Sequence, residues 1–325
     1  MIKERENALL AINHGKPYWT PCFYDAYSPM GSSLLNDQGE FGKGGRDMFG
    51  SLWLVTADTG YQTIHSPNEH ILDDITQWRE VIKFPDLESM DWHGGSERDL
   101  YRVDRDNKLV CIFTLTGNFN RLEAFMGTCE AMIAMYEEPD EVNALFTAYT
   151  DFRIKIIDKY AEYYKPDIYV NGDDVATSTG LFFAPEVYRK LIWPHEKRLA
   201  QAALAKGMIV EHHVCGKVDE IIPDIIATGA SIWQTAQQMN DLTGIQEKYG
   251  DKLCIHGGWD SYSACSLTNA SEEDIRAEVR RCIDTYGQRG NFMLFPIIFG
   301  DPADPRTDLR RSWCSDECRK YKAIC

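Results

Sequence analysis

Eight short apolar runs, most of them separated by stretches of helical periodicity, constrain this chain more than any other feature. They are Tyr18–Asp25, Leu52–Asp58, Leu109–Thr116, Asp167–Asp173, Met208–Cys215, Ser231–Thr235, Leu253–His256 and Asn291–Phe295. Runs of this length, bounded by turn residues, read as strands. Strands alternating with helices make a parallel sheet, and eight of them predict an α/β fold, a (β/α)8 TIM barrel. Residues 1–325 read as a single TIM-barrel domain with an N-terminal helical elaboration. The polar, turn-rich stretch His65–Asp106 is an elaboration on that scaffold, and no repeat or linker divides the chain.

Charge narrows the partners. With 34 basic and 50 acidic residues the net charge is −16, which disfavours nucleic acid and any substrate bearing many carboxylates. No apolar run reaches the length of a membrane span, and Met1–Glu6 opens into a charged helix rather than a signal peptide, so no membrane partner and a cytoplasmic protein are expected. Ten cysteines spread along such a chain are expected to be reduced. Cys314 and Cys318, four apart, read as part of an exposed tail helix.

The chemistry concentrates on Val210-Glu211-His212-His213-Val214-Cys215-Gly216. A period of two puts Glu211, His213 and Cys215 on one face and Val210, His212 and Val214 on the other. Burying an acid, an imidazole and a thiol in a row requires a partner, and zinc is one that His213 and Cys215 can share. His212 is expected to face the helix layer. Active sites of barrels lie at the carboxyl ends of the strands, which here carry Tyr24, Asp25, Asp58, Asp173, Asp174, His213, Cys215, Gln237, His256 and Trp259. If Ile168 and Val170 pack against helices, Tyr169, Asn171 and Asp173 face the barrel interior.

His213-Val214-Cys215-Gly216, the Ile-Ile-Pro-Asp-Ile-Ile helix after it, Thr228-Gly229-Ala230, Gln237 and Gly257-Gly258-Trp259-Asp260 together resemble the uroporphyrinogen decarboxylase superfamily. Phe182–Lys190 after Asp173-Asp174 is similar to another of its stretches. Within that superfamily the His-x-Cys-Gly pattern resembles the zinc-dependent, corrinoid-linked methyltransferases more than the cofactor-free decarboxylases. The decarboxylases' arginine-rich motif after the first strand has no counterpart in Pro21–Pro29, which contains no arginine. Without that clamp, an anionic tetrapyrrole is a poor substrate for so acidic a chain.

The resemblance implies a methyltransferase that uses zinc and a corrinoid carried by a partner protein, with a small molecule as methyl donor or acceptor. His213 and Cys215 would be metal ligands, with a third from Asp173, Asp174, His256 or Asp301. The thiol-activating relatives carry a further cysteine after the eighth strand, where this chain has Phe295–Asp301. An oxygen or second nitrogen ligand makes a harder zinc centre, suited to activating an oxygen. That points to demethylation of an O-methyl compound such as a methoxyaromatic, with Tyr24, Tyr27, Tyr169, Asn171, Gln237 and Trp259 as substrate-binding candidates. Glu211 would support the ligand imidazole or carry a proton. Two alternatives stand beside this reading. One is a metal-free decarboxylase of a smaller, less anionic substrate, with Asp25 or Asp173 stabilising a protonated intermediate. The other is a non-catalytic metal- or corrinoid-binding barrel. Self-association into a homo-oligomer is compatible with each.

Overall fold

The computed structural model describes residues 2–40, 42–56, 61–298, 300–301 and 303–321. Its strands in chain order are β1 (Tyr27–Met30), β2 (Gly45–Arg46), β3 (Leu52–Val55), β4 (Thr63–His65), β5 (Leu109–Thr114), β6 (Ile168–Gly172), β7 (Ile209–His213), β8 (Ile232–Ala236), β9 (Cys254–Gly257) and β10 (Phe292–Leu294). Seven of them form one parallel sheet in the order β1-β5-β6-β7-β8-β9-β10. A parallel bridge between Cys22 and Leu294, with the Leu294 amide donating to the Pro21 carbonyl at 2.8 Å, ties the segment before β1 to the last strand. The sheet thus curls into a barrel of the TIM type, with helices on its outer face.

Two of the eight anticipated strands are placed differently. Phe23–Ala26 is a helical turn, so the first barrel segment gives only the Cys22 bridge before the chain reaches β1. β3 pairs antiparallel with β2 and β4 in a separate small sheet and is not a stave of the barrel. Ala57 and Asp58 lie outside the described residues. The six later runs are all staves, and the helices between them begin where their caps dictate. Pro139 opens the helix Pro139–Lys159, where its missing N–H costs nothing. Ser271 and Asp274 cap each other reciprocally at the start of Glu272–Tyr286, an arrangement worth about 1 kcal/mol.

The core has two main layers. Inside the barrel, Tyr27, Leu109, Cys111, Ile168, Val170, Ile232, Cys254 and Met293 pack with Ala8, Ala11 and Ile12 of the first helix, Glu4–Ile12. That helix plugs the end where strands begin: Arg5 reaches Asp167, the residue before β6, at 3.0 Å. Between sheet and helices lie Tyr169, Val210, Trp233, Ile255 and Leu294. The orientation of β6 is therefore the reverse of the expected one. Ile168 and Val170 face the interior, and Tyr169 and Asn171 share the helix side. Every residue of β6 is buried, so alternation identifies two faces without telling which is inner. On β7 the order is as expected, with His212 toward the helices. The Cys314–Cys318 helix is not an exposed tail, since both thiols are buried against the barrel. Nine cysteines are described, all of them free.

Candidate metal centre

β7 delivers His213 to the mouth of the barrel, and the turn after it folds Cys215 back beside the ring. His213 Nε2 lies 3.8 Å from Cys215 Sγ and 4.0 Å from Asp174 Oδ1. One ligand atom from each of Asp174, His213 and Cys215 falls within 4.8 Å of the others, and among the described residues this is the one grouping of its kind. Two ligands of a tetrahedral zinc at about 2.0–2.3 Å stand about 3.3–3.8 Å apart, so the two separations from His213 are already close to that spacing, while the Cys215–Asp174 separation, within 4.8 Å, would shorten by up to about 1 Å. The side chains of His213 and Asp174 are 12 % and 43 % exposed, open to a ligand from the mouth.

Local bonds fix the turn. Asp174 Oδ1 accepts the Cys215 amide at 2.7 Å, and Gln237 Oε1 accepts the Gly216 amide at 2.7 Å. Gly216 has φ +93°, and a Cβ there would stand 2.6 Å from the Thr177 carbonyl oxygen, so only glycine fits. Burial, and then the Asp174 carboxylate, push the Cys215 thiol up from its ordinary value. A cation at this point offsets both effects, which is what a ligating thiolate needs. Beside the turn is a hollow of about 240 Å³ whose walls include Gln237, Trp259, Ser261 and Tyr262.

Of the four residues considered for the third ligand, Asp174 is the one brought to the pair. Asp173 instead accepts the amides of Phe119 and Asn120, both at 2.9 Å, at the start of the helix Asn118–Met126. Burial raises its pKa to about 7 against the pull of those two donors. A Cβ on Gly117 would stand 2.3 Å from the Asp173 side chain, so that helix start is fitted closely round the acid. His256 is fully buried below the mouth, its Nδ1 2.7 Å from Glu211 Oε1. Asp301 accepts the Ala303 amide in its own loop at 2.8 Å.

Beneath the triad, Glu211 is also fully buried. It does not touch His213. Gln234 stands between them, its Nε2 2.8 Å from Glu211 Oε1 and its Oε1 2.7 Å from His213 Nδ1. The sequence places Gln234, with Gln237, at a strand end on the carboxyl face but gives it no role; its inward parity, shared with Glu211 and His213 on the neighbouring stave, was the available signal. The Gln234–Thr235 peptide is cis.

The remaining candidates lie elsewhere. Asp25 is 3.5 Å from Arg319, which also pairs with Glu4, on the face where the strands begin. The helical turn that replaced the expected strand turns it there. Tyr24 donates to the Pro296 carbonyl at 2.8 Å and lies under Arg311 of the helix Pro305–Lys320. Tyr27 lies inside the barrel, bonded to Glu211 at 2.7 Å. Tyr169 is on the helix side near Arg153, at 3.3 Å. Trp259 is buried, with its indole N–H on Ser266 at 2.7 Å. Of the six substrate-binding candidates only Gln237 and Trp259 border the hollow. The rings at the inner mouth are instead Phe23, Phe113 and Phe295, all partly exposed.

Among the described residues no helix is long and apolar enough to cross a membrane. No curated protein sequence matches the chain. Over 97 % of its length it superposes on 99 % of a methyltransferase from Methanosarcina mazei, with a TM-score of 0.66 and 13 % identity. A B12-independent methionine synthase from Shewanella sp. W3-18-1, solved with selenomethionine, matches 86 % of this chain and 74 % of its own, with a TM-score of 0.51 and 9 % identity. At those identities the likeness is one of fold. The sequence match is more specific, since residues 103–295, which hold β5 to β10 and the whole Asp174–His213–Cys215 grouping, fit the uroporphyrinogen decarboxylase (URO-D) profile, and the chain belongs to that family.

Proposed function

We propose that this protein is a zinc-dependent methyltransferase that moves a methyl group from a small O-methyl compound, such as a methoxyaromatic, to a corrinoid carried by a partner protein. The observation that carries the reading is the convergence of Asp174, His213 and Cys215 at the barrel mouth. His213 would contribute Nε2, its Nδ1 already engaged by Gln234. Cys215 would contribute a thiolate and Asp174 a carboxylate oxygen, leaving a fourth position toward the mouth. When bound, zinc supplies Lewis acidity that polarises the oxygen to which the methyl group is attached. An Asp ligand in place of a second thiolate keeps that centre hard, in line with an oxygen rather than a sulfur partner. Asp174 also clamps the Cys215 amide, so the acid both ligates and shapes the turn. The partly exposed rings of Phe23, Phe113 and Phe295 supply an apolar lining for an aromatic donor.

The decarboxylase reading lacks this support, because Asp25 is at the far end of the barrel and Asp173 is held by a helix start. The test is elemental analysis of purified protein, followed by an assay of methylcob(III)alamin formation from cob(I)alamin and a panel of methoxylated aromatics. Near-stoichiometric zinc and methyl transfer lost on chelation are expected. Full zinc content in His213→Ala and Cys215→Ala variants would overturn the metal assignment, and turnover that survives chelation would overturn the zinc mechanism.

A further inference from the structure

The polar groups inside the barrel form a chain whose hydrogen directions can be assigned from one end. Glu211 faces three neighbours: the Tyr27 hydroxyl at 2.7 Å on Oε2, and on Oε1 the Gln234 amide nitrogen at 2.8 Å and His256 Nδ1 at 2.7 Å. The Tyr27 hydroxyl and the Gln234 amide nitrogen both donate to the Glu211 carboxyl group. Burial and Glu211 itself hold the Tyr27 phenol well above its ordinary value, which keeps its proton in place. The Gln234 amide can then stand only one way, NH2 toward Glu211 and carbonyl toward His213. That carbonyl accepts and never donates, so His213 carries its hydrogen on Nδ1, and the lone pair of the neutral ring is on Nε2. Nε2 is the atom that faces Cys215 and Asp174.

We infer that Glu211, acting through Gln234, sets the tautomer of His213, and that Gln234 is a positioning residue for the metal centre. The second half rests on the zinc reading above; the first does not. An amide relay differs from a carboxylate placed directly on the imidazole. It transmits direction while keeping the acid one side chain away from the imidazole. It also makes a specific demand on Glu211. A carboxamide at 211 can donate as well as accept, so the Gln234 amide becomes free to reverse, presenting NH2 to Nδ1 and moving the ring hydrogen to Nε2. In that tautomer the lone pair is on Nδ1, toward Gln234, and none faces Cys215 and Asp174.

The tautomer is read directly by long-range ¹H–¹⁵N spectra of ¹⁵N-histidine protein stripped of metal, with the His213 signals assigned by their loss in His213→Ala. Wild type is expected to show the Nδ1–H form, and Glu211→Gln and Gln234→Leu a mixture or the Nε2–H form. Zinc affinity, measured by competition with a chromophoric chelator, is expected to fall about 10–100-fold in both variants. Nε2–H in the wild type, or an unchanged tautomer in a folded Glu211→Gln or Gln234→Leu protein, would overturn the inference. The wild-type spectrum decides it even if neither variant folds. A shifted tautomer with undiminished zinc affinity would remove the positioning role. A correct wild-type tautomer and shifted variants in a protein that never binds zinc would leave the relay standing and the proposed function without its metal.

Discussion

His212 and His213 are neighbours on one strand and do opposite work. His213 points into the barrel mouth with Nδ1 bonded and Nε2 presented to a thiol and a carboxylate. His212 points at the helix Trp193–Ala205, where its Nε2 lies 3.9 Å from Glu196 Oε1 and neither atom has a hydrogen-bond partner. Burial, and then His213, push the His212 pKa down to about 3, while burial and Asp173 raise Glu196 to about 8. Near neutral pH both are therefore largely uncharged, and the contact between them is not an ion pair. The comparison teaches that a strand with both faces buried can place the same side chain as a candidate ligand on one face and as packing on the other, with only parity to separate them.

Substitutions at the two histidines should separate the faces most sharply. His213→Ala should weaken zinc binding at least about 100-fold, since loss of even an outer hydrogen-bond partner costs about 10–100-fold, with a small change in melting temperature. His212→Ala should do the reverse, costing about 2 kcal/mol of stability by opening a cavity under the helices, with zinc stoichiometry intact. Denaturant titration and metal analysis on the same preparations check both, and a His212→Ala protein that loses zinc would break the division.

The helix-side acid gives a pH-dependent effect. Glu196 holds its proton in the folded state up to about pH 8 but releases it near its ordinary value of 4.5 when unfolded. Unfolding therefore releases a proton within that window, and Glu196 makes stability fall as pH rises from about 4.5 to 8. His212 acts oppositely below its ordinary value of 6.5, since unfolding lets the ring take up a proton, so stability falls again as pH drops toward 3. Glu196→Gln keeps an acceptor for the Tyr188 hydroxyl and should flatten the alkaline side alone. Melting temperatures across pH 4–9 test it, and an unchanged slope above pH 5 would refute the assignment. Least of all should change in Asp25→Asn, which disturbs a partly exposed pair with Arg319. A shift within about 0.5 kcal/mol is expected, with unaltered zinc content.

The same contrast explains what the sequence disclosed. The six staves from β5 to β10 were legible because each pairs an apolar run with a helix whose caps are local. Residues Tyr18–Asp25 were not, since an apolar run containing a four-residue helical turn has the composition of a strand. β3 has strand composition too, and only tertiary pairing moves it out of the barrel. On β7 the polar residues His213 and Glu211 marked the inner face; on β6 Ile168, Tyr169 and Val170 gave no such mark, and the two sides were exchanged. His213 and Cys215 could be named because the chain holds them two residues apart. Asp174 was one of four candidates because its approach depends on how β6 ends beside β7. The role of Gln234 escaped because nothing short of the pairing of β7 with β8 sets an amide between an acid and an imidazole.

The bridge between Cys22 and Leu294 has a further consequence, for assembly in time. The barrel is seamed there by chain regions that meet late, and the Tyr24 hydroxyl crosses the same seam to Pro296, 272 positions on. During synthesis the staves from β5 onward can pair with a neighbour soon after each emerges, but the first segment must wait for β10 before the ring can shut. Until then Phe23 and the inner face of β1 lack their partners from the last strand, including Phe295. The mouth that gathers Asp174, His213 and Cys215 is thus completed from the middle of the chain outward, and its aromatic wall is the last part to arrive.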